Sequence, residues 1–329
     1  MKSIKRSLFT VLIFTFCLSI SCSSSTQEVI KEKIEEKESP LEEKDKDKDK
    51  DKDDTDTPSA QIMTLGTYAG LPRLSNGRTD ISTLIKQLND LNANTYNWLI
   101  WKGNKDWDDL IQFLPLATQH NISVWVTLVP PSESKPKAKW SSEPYGKDYI
   151  RWAKEIALLS KVYPNLVALS IDDFILSNLD TFTPEYLGKM IKEFDKVNSD
   201  LSFIPCVYYD QLTLDFANRY GSLIDGVLFP YMAASERMNL QNPNLVGNEI
   251  AHIRSIFKRE MPIYIDVYSA IHSNLGATTP AYVEKVIKDG GVHADGVLIY
   301  VHPNPSTESE KYKIVKDEFA RLKEVGKGK

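Results

Sequence analysis

The chain has 329 residues, with 45 acidic against 40 basic side chains and a formal net charge of −5. An N-terminal segment at +3 and an acidic tract at −6 leave −2 on everything that follows, a near-neutral balance that argues against nucleic acid as a partner. Its three cysteines, Cys17, Cys22 and Cys206, are too few and too scattered for a disulfide framework or a cysteine metal cluster.

In chain order, the first element is a leader over residues 1–22. Lys2, Lys5 and Arg6 precede an apolar run from Leu8 to Ile20 that is too short to span a bilayer comfortably. Ser19-Ile20-Ser21-Cys22 then places small residues before a cysteine. This resembles a bacterial lipoprotein signal, although the leucine such signals prefer sits at Leu18, one place further out. The resemblance implies lipidation of Cys22 and a membrane partner through that anchor, hence a place in the cell envelope, at the outer membrane. An ordinary secretory signal and a retained membrane anchor are the alternatives.

Residues 23–59 read as a disordered linker. Between Glu28 and Asp56 there are 14 acidic residues and 8 lysines, and almost the only sizeable apolar side chains are Ile30, Ile34 and Leu41. Such a segment buries too little apolar surface to offset its conformational entropy.

From residue 60 the pattern changes to alternating strands and helices. Short runs rich in Val, Ile, Leu, Tyr and Trp predict strands at Ile62–Tyr68, Thr95–Trp101, Ser123–Val129, Leu166–Asp172, Ser202–Tyr208, Gly226–Tyr231, Ile263–Tyr268 and Gly296–Val301. Helical patterns lie between and after them, at Ile81–Leu91, Trp107–His120, Lys147–Val162, Pro184–Val197, Leu212–Arg219, Leu245–Phe257, Pro280–Lys288 and Lys311–Val325. Asp80 marks one helix start, and Thr183-Pro184 and Thr279-Pro280 mark two more with a capping threonine before proline. Asn121 and the pair Gly290-Gly291 read as helix ends.

Eight such units over residues 60–329 fit a single (β/α)8 barrel better than a doubly wound sheet. No GxGxxG or Walker pattern occurs, so no nucleotide cofactor is expected. The five histidines show no H-x-H or H-E-x-x-H spacing, so no metal is expected either. The chain is expected to be monomeric.

Barrel enzymes work at the C-terminal ends of their strands. Strand parity aims Ala168, Ser170 and Asp172 into the lumen, with Asp173 at the strand end, and it sends Tyr264, Asp266 and Tyr268 inward from the seventh strand. Asp172, Asp173 and Asp266 are therefore the candidate catalytic carboxylates. A charged side chain in a barrel is costly unless it is paired or has a task. Other strand ends supply candidate substrate-binding groups: Trp101 and Lys102, Glu133, Tyr208, Tyr209 and Asp210, Tyr231, Tyr268, and Tyr300 with His302. Glu133, Asp210 and Glu236 are substitutes for the second catalytic carboxyl. Rings at one rim suit pyranose faces, while acids bind hydroxyls.

Ser170-Ile171-Asp172-Asp173-Phe174, the run Val126-Thr127-Leu128-Val129-Pro130-Pro131 and the aromatic strand ends together resemble a glycoside hydrolase-type barrel, over roughly residues 62–326. With the leader and tether, the chain resembles the surface glycan-processing lipoproteins of Gram-negative bacteria. The resemblance implies cleavage of a poly- or oligosaccharide by two carboxyl groups, about 5 Å apart for retention or roughly 6.5–9.5 Å for inversion. It departs from the largest clan of such enzymes, which carries Asn-Glu after the fourth strand and a glutamate at the seventh. A non-catalytic surface glycan-binding barrel is the alternative, and a lyase or epimerase using a tyrosine or His302 as base is a third reading.

Overall fold

A computed structural model describes residues 63–233, 239–272 and 275–326. The leader with Cys22, the linker over 23–59 and Glu236 lie outside the described residues.

Eight parallel strands form one sheet, β1 (Thr64–Tyr68), β2 (Thr95–Ile100), β3 (Ser123–Leu128), β4 (Leu166–Ile171), β5 (Ser202–Phe203), β6 (Val227–Pro230), β7 (Ile263–Tyr268) and β8 (Gly296–Tyr300). Their order is β5-β4-β3-β2-β1-β8-β7-β6. The ring closes beyond the ends of this row. Leu228 N donates to Pro205 O at 3.0 Å and Val207 N to Leu228 O at 2.9 Å, so the stretch after β5 pairs with β6. The expected (β/α)8 barrel is the fold. The fifth strand is shorter than its expected Ser202–Tyr208 because Pro205 has no N–H to give a ladder.

The helices follow in alternation: α1 (Ile81–Asp90), α2 (Asp106–Gln119), α3 (Tyr149–Val162), α4 (Pro184–Asp195), α5 (Leu214–Tyr220), α6 (Val246–Ile256), α7 (Pro280–His293) and α8 (Ser309–Gly326). The caps do what their residue types allow. Asp80 accepts from Thr83 N at 3.0 Å, and Thr183 and Thr279 accept from Tyr186 N and Tyr282 N ahead of prolines at the first helical position. Asn121 ends α2 with φ +53°, a left-handed turn that asparagine tolerates.

Gly290-Gly291 does not end its helix, which runs on to His293. A Cβ on Gly290 would stand 2.8 Å from Ile265 Cγ2, and one on Gly291 would stand 2.3 Å from Leu322 Cδ2. These glycines let α7 approach both the barrel and α8, a task that a sequence reading mistakes for a stop. Among the described residues no helix is long and apolar enough to cross a membrane.

The lumen is packed in layers by alternate residues of the strands. Trp125 and Tyr264 plug the bottom edge to face, with ring centres 4.8 Å apart, together with Ala168, Ile204, Leu228 and Leu298. Tyr264 fits because Gly296 lies beneath its ring, where a Cβ would come within 2.8 Å. A polar layer follows, in which Thr127 Oγ1 donates to Asn97 Oδ1 at 2.7 Å and Ser170 is fully buried. Outside the lumen, Trp98 packs on Phe113 of α2 with ring centres 5.1 Å apart. The apolar outer face of β2 is thus sealed, and its inner face is free to shape the site.

Candidate active site

The C-terminal mouth of the barrel holds a cavity of about 450 Å³. Its walls are strand-end residues of lumen parity: Tyr68 ending β1, Leu99 on β2 and Trp101 just after it, Asp172 just after β4, Cys206 and Tyr208 beyond β5, Pro230 ending β6 and Met232 beyond it, Asp266 and Tyr268 on β7, and Tyr300 ending β8. Loops add Glu133, Asp173, Leu176, His272 and Leu275.

Four carboxyl groups therefore share one cavity, in two tiers. Asp266 forms the floor, with 1% of its surface exposed and its Oδ1 without a hydrogen-bond partner. Burial raises it well above the ordinary carboxylate range, and the charge of Asp172 adds to this. Asp172, one step higher, keeps an opening to the cavity. Burial pushes it up to about 8, and Asp173 and Glu133 push the same way, while Tyr68 and Cys206 ease it.

The upper tier comes from loops. Glu133 ends a short 3-10 turn, Pro131–Glu133, set by the rigid Pro130-Pro131 pair after β3. Burial and then the charge of Asp173 push it up to about 7. Asp173 itself sits at φ +40°, a left-handed conformation that turns the chain sharply at the end of β4. The turn is held by Phe174 N donating to Cys206 O at 3.0 Å and by Asn178 Nδ2 donating to Asp173 O at 3.1 Å. A non-glycine residue fixed there by surrounding bonds is typical of functional loops. Among the described residues no group of three or more His, Cys, Asp or Glu is arranged to hold a metal ion.

Around the acids lies an aromatic collar. Tyr300 stands between Tyr68 and Tyr268, with ring centres at 5.5 and 5.2 Å, and His272 packs edge-on to Tyr268 at 5.7 Å. Burial raises the phenols of Tyr68, Tyr208, Tyr268 and Tyr300 and lowers His272. At neutral pH these groups are uncharged hydrogen-bonding walls.

The raised Asp172 has a stability consequence. An acid whose folded pKa exceeds its unfolded value binds a proton in the native state first, so native stability falls as pH climbs from about 4 to about 8. Asp172→Asn, neutral at every pH and still able to accept from Asp173 N, is expected to flatten that decline by up to roughly 1.4 kcal/mol per pH unit. Urea unfolding across this range measures it, and parallel wild-type and variant curves would count against the assignment.

Of the residues the sequence singles out, the cavity brings together Asp172, Asp173, Asp266, Trp101, Glu133, Tyr208, Tyr268 and Tyr300. Lys102 lies next door, in two smaller hollows that share the Trp101 wall. Four expected residues are not in the cavity wall. Tyr231 is fully buried toward the helices, donating to Asn242 O at 2.8 Å and stacked on Tyr282. His302 is buried between Thr67 Oγ1 at 2.9 Å and Gln87 Oε1 at 2.8 Å, and burial lowers it to about 4. A base role for it is therefore set aside. Tyr209 packs on His252 with ring centres 5.6 Å apart, and Asp210 faces solvent.

Sequence reading misses Tyr68, Cys206, Met232 and His272 as cavity residues. The first three obey the same lumen parity as Asp172 and were within its reach. His272 lies in a loop where parity does not apply. It also misses Asp106, the first residue of α2. This side chain is fully buried and accepts from Trp101 N at 3.1 Å, Gly103 N at 3.2 Å and Arg73 Nη2 at 2.8 Å. Asp106 is the peg on which the Trp101 corner hangs.

No protein-family model and no curated protein matches the chain in sequence. Solved structures share its barrel. A β-glucanase from Saccharophagus degradans superposes with a TM-score of 0.57 at 11% identity, covering 80% of this chain and 88% of that one. GH5_18 from Streptomyces cattleya, in complex with GlcNAc, gives 0.55 at 11% identity over 80% and 81% of the two chains. β-Methylaspartase from Clostridium tetanomorphum, a magnesium complex, gives 0.50 at 14% identity; the match covers 83% of this chain and 61% of that longer one. At such identities the likeness is one of fold, and the fold is shared with glycosidases and with a lyase alike.

Proposed function

We propose that the barrel is a glycosidase cleaving a poly- or oligosaccharide, with Glu133 as proton donor and Asp173 as its ionised partner. One observation carries this reading: Glu133 and Asp173 face the same aromatic-collared cavity at the catalytic end of the barrel, and Glu133 is held near neutrality by burial and by the charge on Asp173. A carboxyl that keeps its proton beside a second carboxyl is what acid-assisted glycoside cleavage requires. Glu133 gives its proton to the glycosidic oxygen as that bond breaks. Asp173 either bonds to the anomeric carbon or takes a proton from the water that does.

Asp266, first favoured from sequence as the second carboxyl, is too deep for this role in our reading. It supports Asp172 from below. Asp172, kept protonated, donates a hydrogen bond to a sugar hydroxyl, as neutral carboxylic acids do in other dry sites. Several fold neighbours are named as glycosidases, which supports the reaction class by analogy. We place the enzyme in the cell envelope of a Gram-negative bacterium, held there by a lipid on Cys22.

Incubating the full chain with a glycan panel tests the reading. Reducing ends should appear with wild type and fall at least about 100-fold with Asp173→Asn. Binding with no cleavage of any glycan would replace the enzyme by the non-catalytic alternative.

A further inference from the structure

We infer that the substrate is an anionic glycan, carboxylated or sulfated, gripped along a cationic wall on the β1–β3 side of the mouth. The inference deepens the glycosidase reading but concerns only what is bound beside the reacting bond.

Trp101 is a common wall of three hollows. One is the carboxyl cavity. A second, of about 330 Å³, opens toward the loop after β1 and includes Arg73 and Lys102. A third, of about 380 Å³, opens toward the long loop after β3 and includes Lys102, Lys135 and Trp140. A chain of sugars seated over the carboxyls would therefore continue past Trp101 into one or both of the others.

These flanks are built differently from the central cavity. Each exposed or half-buried indole carries an ammonium over its face: Lys102 Nζ lies 5.1 Å from the Trp101 ring centre and Lys139 Nζ 4.8 Å from that of Trp140. Arg73 is paired with Asp106 and Lys135 with Glu143, but no ion pair engages Lys102 or Lys139 among the described residues. A neutral sugar stacking on the lysine-covered face of either indole would have to displace the ammonium. A sugar bearing a carboxylate or sulfate would stack and form a charge-assisted hydrogen bond with the same lysine. The carboxyls at the centre do not oppose this, because the bond to be cut lies there while the negative groups sit on the flanking units.

The test uses the full chain carrying Asp173→Asn, so that binding is read without cleavage. Titration calorimetry compares polygalacturonate, a sulfated galactan and a neutral β-glucan at low and high salt. One or both anionic polymers should bind more tightly than the neutral one and weaken with salt. Adding Lys102→Ala and Lys139→Ala should weaken the anionic polymer roughly tenfold or more without weakening the neutral one, and the arginine pair should restore it. A preference for uronate or for sulfate tells which anion is meant. Equal binding of the neutral glucan with no response to the lysine changes would overturn the inference. Cleavage of a neutral glycan at rates indifferent to Lys102 and Lys139 would sink it alone. Salt-sensitive anionic binding with no cleavage by the unmodified chain would sink the glycosidase reading alone.

Discussion

Glu133→Gln is expected to lower kcat/KM on a natural glycan by about 10²- to 10⁴-fold, the usual cost of losing a general acid. A donor has to hold its proton, so wild-type activity should fall as pH rises through about 7. Glutamine has no proton to lose in that range, and the residual activity of the variant should lack this fall. The leaving group supplies an internal control. Aryl glycosides of acidic phenols depart without protonation, so the deficit should shrink sharply on them. An equal deficit on both substrate types, or an unchanged pH profile, would move the donor elsewhere. Asp172 is the next candidate, and the fall in activity would then lie near 8.

Asp106→Ala is expected to cost roughly 2–4 kcal/mol of folding stability, because a buried carboxylate leaves and its partners stay behind. Trp101 N, Gly103 N and the Arg73 guanidinium all lose their acceptor at once. The exposed Lys135–Glu143 pair is a useful contrast, since breaking it should change stability by less than about 1 kcal/mol. Loss at Asp106 should also weaken glycan binding, because Trp101 walls all three hollows. Asp106→Asn keeps an acceptor for the backbone amides and should fall between wild type and alanine. Urea unfolding with parallel titration of the glycan measures both effects. A stable variant with weakened binding would mean that Asp106 orients Trp101 without supporting the fold.

Much of the fold is legible in the sequence because each local rule points the same way. The alternation in Leu166–Asp172 and in Ile263–Tyr268 places Asp172 and Asp266 in one lumen, and caps at Asp80, Thr183 and Thr279 start their helices as read. The rules fail where two physical tasks use the same residue. Gly290-Gly291 looks like a stop but serves close packing. Tyr231 follows Pro230 at the mouth, yet its parity sends it to the helices. His302 shares the parity of Tyr300, but β8 ends at Tyr300 and alternation stops with it. The two-tier stacking of the carboxyls was out of reach, since it depends on how far a loop glutamate folds over a strand-end aspartate. So was the part played by Asp106, whose partner Arg73 lies 33 residues away on the loop after β1.

The fifth stave of the barrel has the shortest regular ladder and is tied to its neighbours by bonds beyond it, Ile204 N to Leu169 O at 2.9 Å, Cys206 N to Ile171 O at 3.0 Å and Val207 N to Leu228 O at 2.9 Å. β5 shares two register pairs with β4 and meets β6 through a bridge at Cys206, where β2 and β3 share six pairs. Cys206 and Tyr208 hang from this stave and face the cavity. A ligand leaning on Tyr208 would bind the intact ring and stabilise it by mass action. An occupant of the mouth would thereby act as a further hoop around this stave.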